Sequence, residues 1–181
     1  MTLIGLDGLH VGARQVGSPN FDDRPPGAVV TLLVLHAISL PPGEFGGDAI
    51  ERLFTNRLDP TAHHAFGDLR SLRVSAHFLV RRGGELIQFV PVHRRAWHAG
   101  ASRWRARPRC NDFSVGVELE GTGDREFAGV QYSQLSALVH ALRVALPLRE
   151  IAAHSDIAPG RKTDPGGLFE WPRLFAALAI A

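Results

Sequence analysis

The sequence predicts a single α/β domain with a central mixed β-sheet flanked by helices. Three observations carry this. Residues 29–36 form an apolar run without polar alternation, the pattern of a central strand buried on both faces. Residues 75–92 read as a hairpin: Ala76 to Val80 runs out, Arg82-Gly83-Gly84 turns, and Glu85 to Val90 returns. Two stretches then repeat apolar residues at helical spacing, namely Leu135, Leu138, Val139, Leu142 and Leu146, and Trp171, Leu174, Phe175 and Leu178.

The elements follow in order. Residues 1–28 read as an irregular arm ending in Arg24-Pro25-Pro26-Gly27. After the first strand, residues 39–47 (SLPPGEFGG) can only be a loop. They directly follow His36, so this loop should lie over any site at that strand end. Asp48 suits the cap of a short helix through Phe54, with Ile50, Leu53 and Phe54 on one face. Residues 93–112 are a loop dense in Arg, with Trp97 and Trp104. Residues 114–120 alternate, placing Glu118 and Glu120 on one face and Val117 and Leu119 on the other. Pro147 stops the first long helix, and Pro172 suits the first turn of the last. No internal repeat or second domain is visible, so residues 1–181 read as one domain.

Composition narrows the function. The chain has 181 residues, 45% hydrophobic and 21% charged, enough for a sizeable core. Formal net charge is +2 and the sequence pI is 9.3, a small arginine surplus and not a basic patch, so no nucleic-acid partner is expected. Cys110 is the only cysteine, which excludes an intrachain disulfide. It reads as a small buried residue. The first residues lack a basic segment, and Asp7 and His10 interrupt their apolar run, so no signal peptide is expected. No apolar run is long enough to span a bilayer. A cytoplasmic monomer without a membrane partner is the expectation.

The chemistry gathers at residues 154–165, a stretch rich in Pro, Gly, Ser and Asp that follows the strand end Ile151-Ala152-Ala153. It holds His154, Asp164 and, two residues earlier, Lys162. Two histidines and a carboxylate with an open fourth position make a hydrolytic zinc site. His36, at a strand end, is the best second histidine. The bland alternative is a hydrogen-bonded strand-end histidine and a loop of Asx-turns. Lys162 is the only lysine among 20 Lys+Arg, which suggests a place where a compact ammonium is needed and a planar guanidinium will not do. Glu118 is either a residue on a solvated edge or a general base aimed at the site. His77 and His98 fall near the site, His63 and His64 in a solvated loop, and His10, His93 and His140 read as surface. Arg103, Arg105, Arg107 and Arg109 form a solvated charged face, or a platform for a sugar and carboxylates. The serine-hydrolase elbow, the zinc His-Glu-x-x-His helix and a phosphate loop are absent.

Six stretches in order match a known family: SLPPGEFGG (39–47), LRVSAH (72–77), RAWHAG (95–100), CNDFS (110–114), VELEG (117–121) and DIAPGRKTDPG (156–166). On these the chain resembles the zinc N-acetylmuramoyl-L-alanine amidases, in particular those of cell-wall recycling that cleave 1,6-anhydro muropeptides. These are related to the peptidoglycan-recognition proteins. The resemblance implies their fold, zinc held by His36, His154 and Asp164, and Glu118 and Lys162 as catalytic residues. It places Arg73, Trp97 and Arg109 at substrate, and makes an anhydro-muropeptide the partner. One residue departs: the first zinc histidine is often followed by Asn in this family, and here by Ala37. Two rivals are an amidase acting on intact peptidoglycan and a non-catalytic muropeptide-binding module. The latter would be expected to have lost a ligand that this chain keeps.

Overall fold

The computed structural model describes residues 3–179. In chain order its elements are β1 (Arg14–Gln15), β2 (Phe21–Asp22), β3 (Leu32–Ile38), α1 (Ala49–Phe54), β4 (Phe78–Val80), β5 (Leu86–Gln88), β6 (Arg95–Ala96), β7 (Arg103–Trp104), β8 (Arg107–Pro108), β9 (Ser114–Glu120), α2 (Gly129–Ala145), β10 (Glu150–Ala153), α3 (His154–Ile157) and α4 (Trp171–Ala179). Among the described residues the main sheet has six strands in the order β1-β5-β4-β9-β3-β10. Strands β4, β9, β3 and β10 run parallel, and the β4–β5 hairpin is antiparallel. The sheet is therefore mixed, as predicted.

Alternation sorts the strands into two faces. Leu33 and Leu35 of β3, with Val115, Val117 and Leu119 of β9, share a core with Leu135, Leu138, Val139 and Leu142 of α2 and Leu174 of α4. Each of these side chains is almost fully buried, an effect of about 1.5–3 kcal/mol apiece. The opposite face is divided. Leu32 and Val34 pack on Phe113 and Ile157 at one end. Leu79 and Ile87 pack on Ile50, Leu53 and Phe54 of α1 at the other. On that same face, by alternation, β3 carries His36 and β9 carries Ser114, Gly116 and Glu118.

The structure removes one alternative and corrects several expectations. The solvated-edge alternative for Glu118 falls, because β9 lies between β4 and β3 and all seven of its residues are buried. Residues 1–28 are not wholly irregular, for β1 extends the main sheet beside β5 and β2 pairs with β6. Arg24 ties the arm down by donating to the carbonyls of Val92, Asn111, Asp112 and Ser114. Two-residue strands carry no periodicity, so nothing in the sequence marks them. His10 is buried, its ring edge-on to Phe78. Asp48 makes no cap hydrogen bond and pairs instead with Arg52 at 2.7 Å. The loop at 154 opens with one helical turn, where the Asp156 carboxylate accepts from the Ala153 N–H. Among the described residues no helix is long and apolar enough to cross a membrane.

His77 is a structural histidine. Its Nδ1 accepts the Gly116 N–H at 3.0 Å, so Nε2 carries the proton and donates to the Arg94 carbonyl at 3.0 Å. Burial, with Arg24 nearby, pushes its pKa down from 6.5 to about 3. The unfolded chain therefore binds a proton at His77 that the folded chain refuses between those values. The stability this group contributes is present above pH 6.5 and lost as pH falls toward 3. Within that window the expected slope from His77 alone is about 1.4 kcal/mol per pH unit. Urea unfolding at a series of pH values should show His77→Gln with a shallower acid loss than wild type. Parallel profiles would contradict this.

Candidate metal centre and active site

The site forms at the carboxyl ends of three neighbouring parallel strands, where open α/β sheets hold their ligands. Register does most of the placing. His36 and Glu118 are Cα partners on β3 and β9, and Ala153 of β10 lies opposite Leu35, so His154 follows beside His36. The next loop folds back, with the Ser155 N–H donating to the Asp164 carbonyl at 3.1 Å, and returns the Asp164 side chain to the strand ends. His36 Nδ1, His154 Nδ1 and Asp164 Oδ2 then face one another: 2.9 Å between the imidazoles, 3.0 Å from His154 to Asp164 and 3.3 Å from His36 to Asp164. Among the described residues this is the group of three that could hold a metal ion.

The trio fits zinc. Donors about 2.1 Å from a tetrahedral ion stand about 3.4 Å apart, close to these edges. Metal ligands must also be deprotonated. Burial holds His36 well down, at about 4, so its imidazole is neutral. Burial pushes the Asp164 carboxyl up, but its contacts with His154 and His36 outweigh this and hold it below the usual carboxylate range. Glu118, 9% exposed, is under opposite pressure. Burial pushes its pKa well above the ordinary carboxylate value, the Asp164 charge adds to this, and Lys162 opposes it. Its Oε2 is buried with no hydrogen-bond partner among the described residues. An unpaired buried carboxylate oxygen is costly, and a cation or a polarised water beside it would remove that cost.

A cavity of about 520 Å³ opens over these groups. His36, Glu118, His154, Lys162 and Asp164 all line it, together with Arg73 and Trp97. Arg109 does not. It pairs with Asp112 at 3.1 Å and borders a separate hollow beside Pro25 and Pro26. The other arginines of that row are also engaged elsewhere, Arg103 with the Ala106 carbonyl, Arg105 with Glu150 and Arg107 over the Phe113 ring. The loop at 39–47 reaches the cavity through Leu40, while its far end is held to the side. There Glu120 accepts the Gly46 N–H at 2.7 Å and Arg81 at 2.9 Å. Ala37 borders both the cavity and an adjoining hollow of about 400 Å³ without a polar side-chain atom to offer. Sequence reasoning left two participants unassigned. His98 stands 3.0 Å from His36, and Asn111 accepts the N–H groups of His98 and Ala99. Both lie inside the matched stretches RAWHAG and CNDFS, the one available signal.

The N-acetylmuramoyl-L-alanine amidase family model matches residues 26–167. AmpD of Escherichia coli (strain K12), a 1,6-anhydro-N-acetylmuramyl-L-alanine amidase, is 54% identical over 168 residues, 92% of this chain and 92% of its own. The chain belongs to the N-acetylmuramoyl-L-alanine amidase family, in its AmpD branch. A crystal structure of a selenomethionine AmpD derivative matches this amidase with a TM-score of 0.95 at 50% identity, covering 97% of this chain and 99% of that one. The E. coli amidase AmiD, in complex with the substrate anhydro-N-acetylmuramic acid-L-Ala-D-γ-Glu-L-Lys, matches with a TM-score of 0.61 at 26% identity. That match covers 87% of this chain and 65% of AmiD.

Proposed function

We propose that this amidase is a zinc enzyme that hydrolyses the amide between 1,6-anhydro-N-acetylmuramic acid and L-alanine in muropeptides, and that it does so in the cytoplasm during cell-wall recycling. The observation that carries the reading is the convergence of three ligand atoms on one side of a cavity with an unpartnered buried carboxylate oxygen on Glu118. Its 54% identity to AmpD over 92% of the chain supports the substrate. The substrate in the AmiD complex supports the anhydro sugar and L-Ala linkage.

In this reading His36, His154 and Asp164 hold the zinc. When bound, zinc supplies a Lewis acid that polarises a carbonyl and acidifies water. Glu118 takes a proton from the attacking water as the new C–O bond forms at the lactyl carbonyl carbon. It then delivers that proton to the alanine nitrogen as the C–N bond breaks. Lys162 sets a positive charge against the oxyanion that develops at the carbonyl oxygen. Arg73 and Trp97, on the cavity wall, meet the sugar or the stem peptide. The assignment of Arg109 to substrate rests on the resemblance alone, since Arg109 lies outside the cavity.

Purified protein is expected to contain about one zinc per chain, the count for a single three-ligand site. His36→Ala should lose it and His140→Ala should keep it, as read by elemental analysis. Full activity in metal-free protein would end the zinc reading. Mass spectrometry of products separates the substrates. An anhydro-muropeptide should yield anhydro-N-acetylmuramic acid and free peptide, while intact sacculi should release little. The reverse pattern would favour an intact-wall amidase.

A further inference from the structure

We infer that His98 is a positioning residue for the metal: through a chain of hydrogen bonds that starts at Ser114, it fixes the tautomer of His36. The inference rests on the zinc reading above. The chain can be read proton by proton. The Ser114 hydroxyl lies 2.6 Å from the Cys110 carbonyl, which can only accept, so the hydroxyl proton is spent there. Ser114 Oγ is then an acceptor toward His98 Nε2, at 3.2 Å, and that nitrogen must carry a hydrogen. A neutral imidazole has one N–H, so His98 Nδ1 is a lone pair. It faces His36 Nε2 at 3.0 Å, which must therefore carry the hydrogen. His36 Nδ1 is left bare, and it is this nitrogen that faces His154 and Asp164. The reverse direction would need a second proton on Ser114.

Two further features hold the His98 ring in place. Asn111 Oδ1 accepts the backbone N–H groups of His98 and Ala99, at 3.2 and 2.8 Å. The ring itself lies against the backbone of Gly116, where any Cβ would collide with it. Gly116 does not have a positive φ, so its need for glycine comes from the imidazole above it and not from its backbone. A side chain that orients a metal-bound histidine through its second ring nitrogen commonly matters 10–100-fold in metal affinity.

The test compares zinc affinity by chelator competition. His98→Leu removes the acceptor for His36 Nε2–H and should weaken zinc binding about 10–100-fold. His98→Gln offers an amide oxygen to the same N–H and should recover most of that loss, although it too lacks the ring. Ser114→Ala and Gly116→Ala, which leave every ligand intact, should weaken zinc in the same direction. In zinc-loaded protein labelled with nitrogen-15, the His36 Nε2–H signal should move upfield in His98→Leu. If His98→Leu fails to fold, Ser114→Ala carries the test. Wild-type zinc affinity in a folded His98→Leu or Ser114→Ala protein overturns the inference, as does a Gln variant no better than Leu. Failure of the wild type itself to bind zinc would instead defeat the zinc reading.

Discussion

Glu118→Gln is expected to lower kcat by about 10²–10⁴, the contribution of a positioned acid and base. The substitution keeps the size and shape of a side chain that is 9% exposed. It removes only the capacity to take and return a proton. Zinc content should stay at the wild-type level, because Glu118 is not one of the three converging ligands. Thermal stability should hold or rise. In the native protein a carboxylate oxygen is buried without a partner, against the pressure of burial and of the Asp164 charge, and the amide relieves that. A stable, zinc-loaded Glu118→Gln enzyme with wild-type kcat would remove Glu118 from the mechanism. A loss of zinc in that variant would make it a ligand and not a base.

Lys162→Arg is expected to lower turnover on the order of 10²-fold or more, the scale for losing one oxyanion donor. Elsewhere in this chain every cationic side chain is Arg, so the substitution restores the residue type the surface already uses. Lys162 is exposed and borders both the main cavity and the adjoining hollow, so a guanidinium there has room and folding is not at stake. The wider planar group cannot put its charge at the same point. The loss should fall on kcat more than KM, as for an interaction made mainly in the transition state. Zinc content and melting temperature should match wild type. Unchanged kcat would leave Lys162 as a surface charge.

The parts of this protein that were legible in the sequence are those that repeat. The apolar run ending at His36, the alternation through Glu118 and the helical spacing of Leu135, Leu138 and Leu142 each imprint a period on the chain, and each element is present. Alternation even put Glu118 and Glu120 on one face. What it could not give was the neighbours of that strand, and these turn a solvated edge into a buried centre. β1 and β2, at two residues each, are too short to have a period. Arg109 is a motif position that the fold places beside a different hollow, paired with Asp112, so its part in substrate binding rests on the resemblance alone. His98 was hidden for a further reason. Its contribution lies in which nitrogen carries a proton, and that follows from partners 16 residues away at Ser114 and 62 away at His36.

His36 and Glu118 sit opposite each other on adjacent parallel strands. The separation between the proposed metal ligand and the proposed proton carrier is therefore an interstrand spacing, about 4.8 Å at the backbone, common to β-sheets generally. Such a distance has no hinge and cannot drift one residue at a time. A slip of register would turn every side chain of the strand to the other face. The rim is free of that constraint. Leu40, Arg73 and Trp97 lie outside the strands, in segments that can be lengthened, exchanged or repolarised while His36 and Glu118 keep their places. In the proposed mechanism the fold thus separates what is fixed from what is negotiable, with the bond to be cut set by the sheet and the molecule that carries it chosen at the rim.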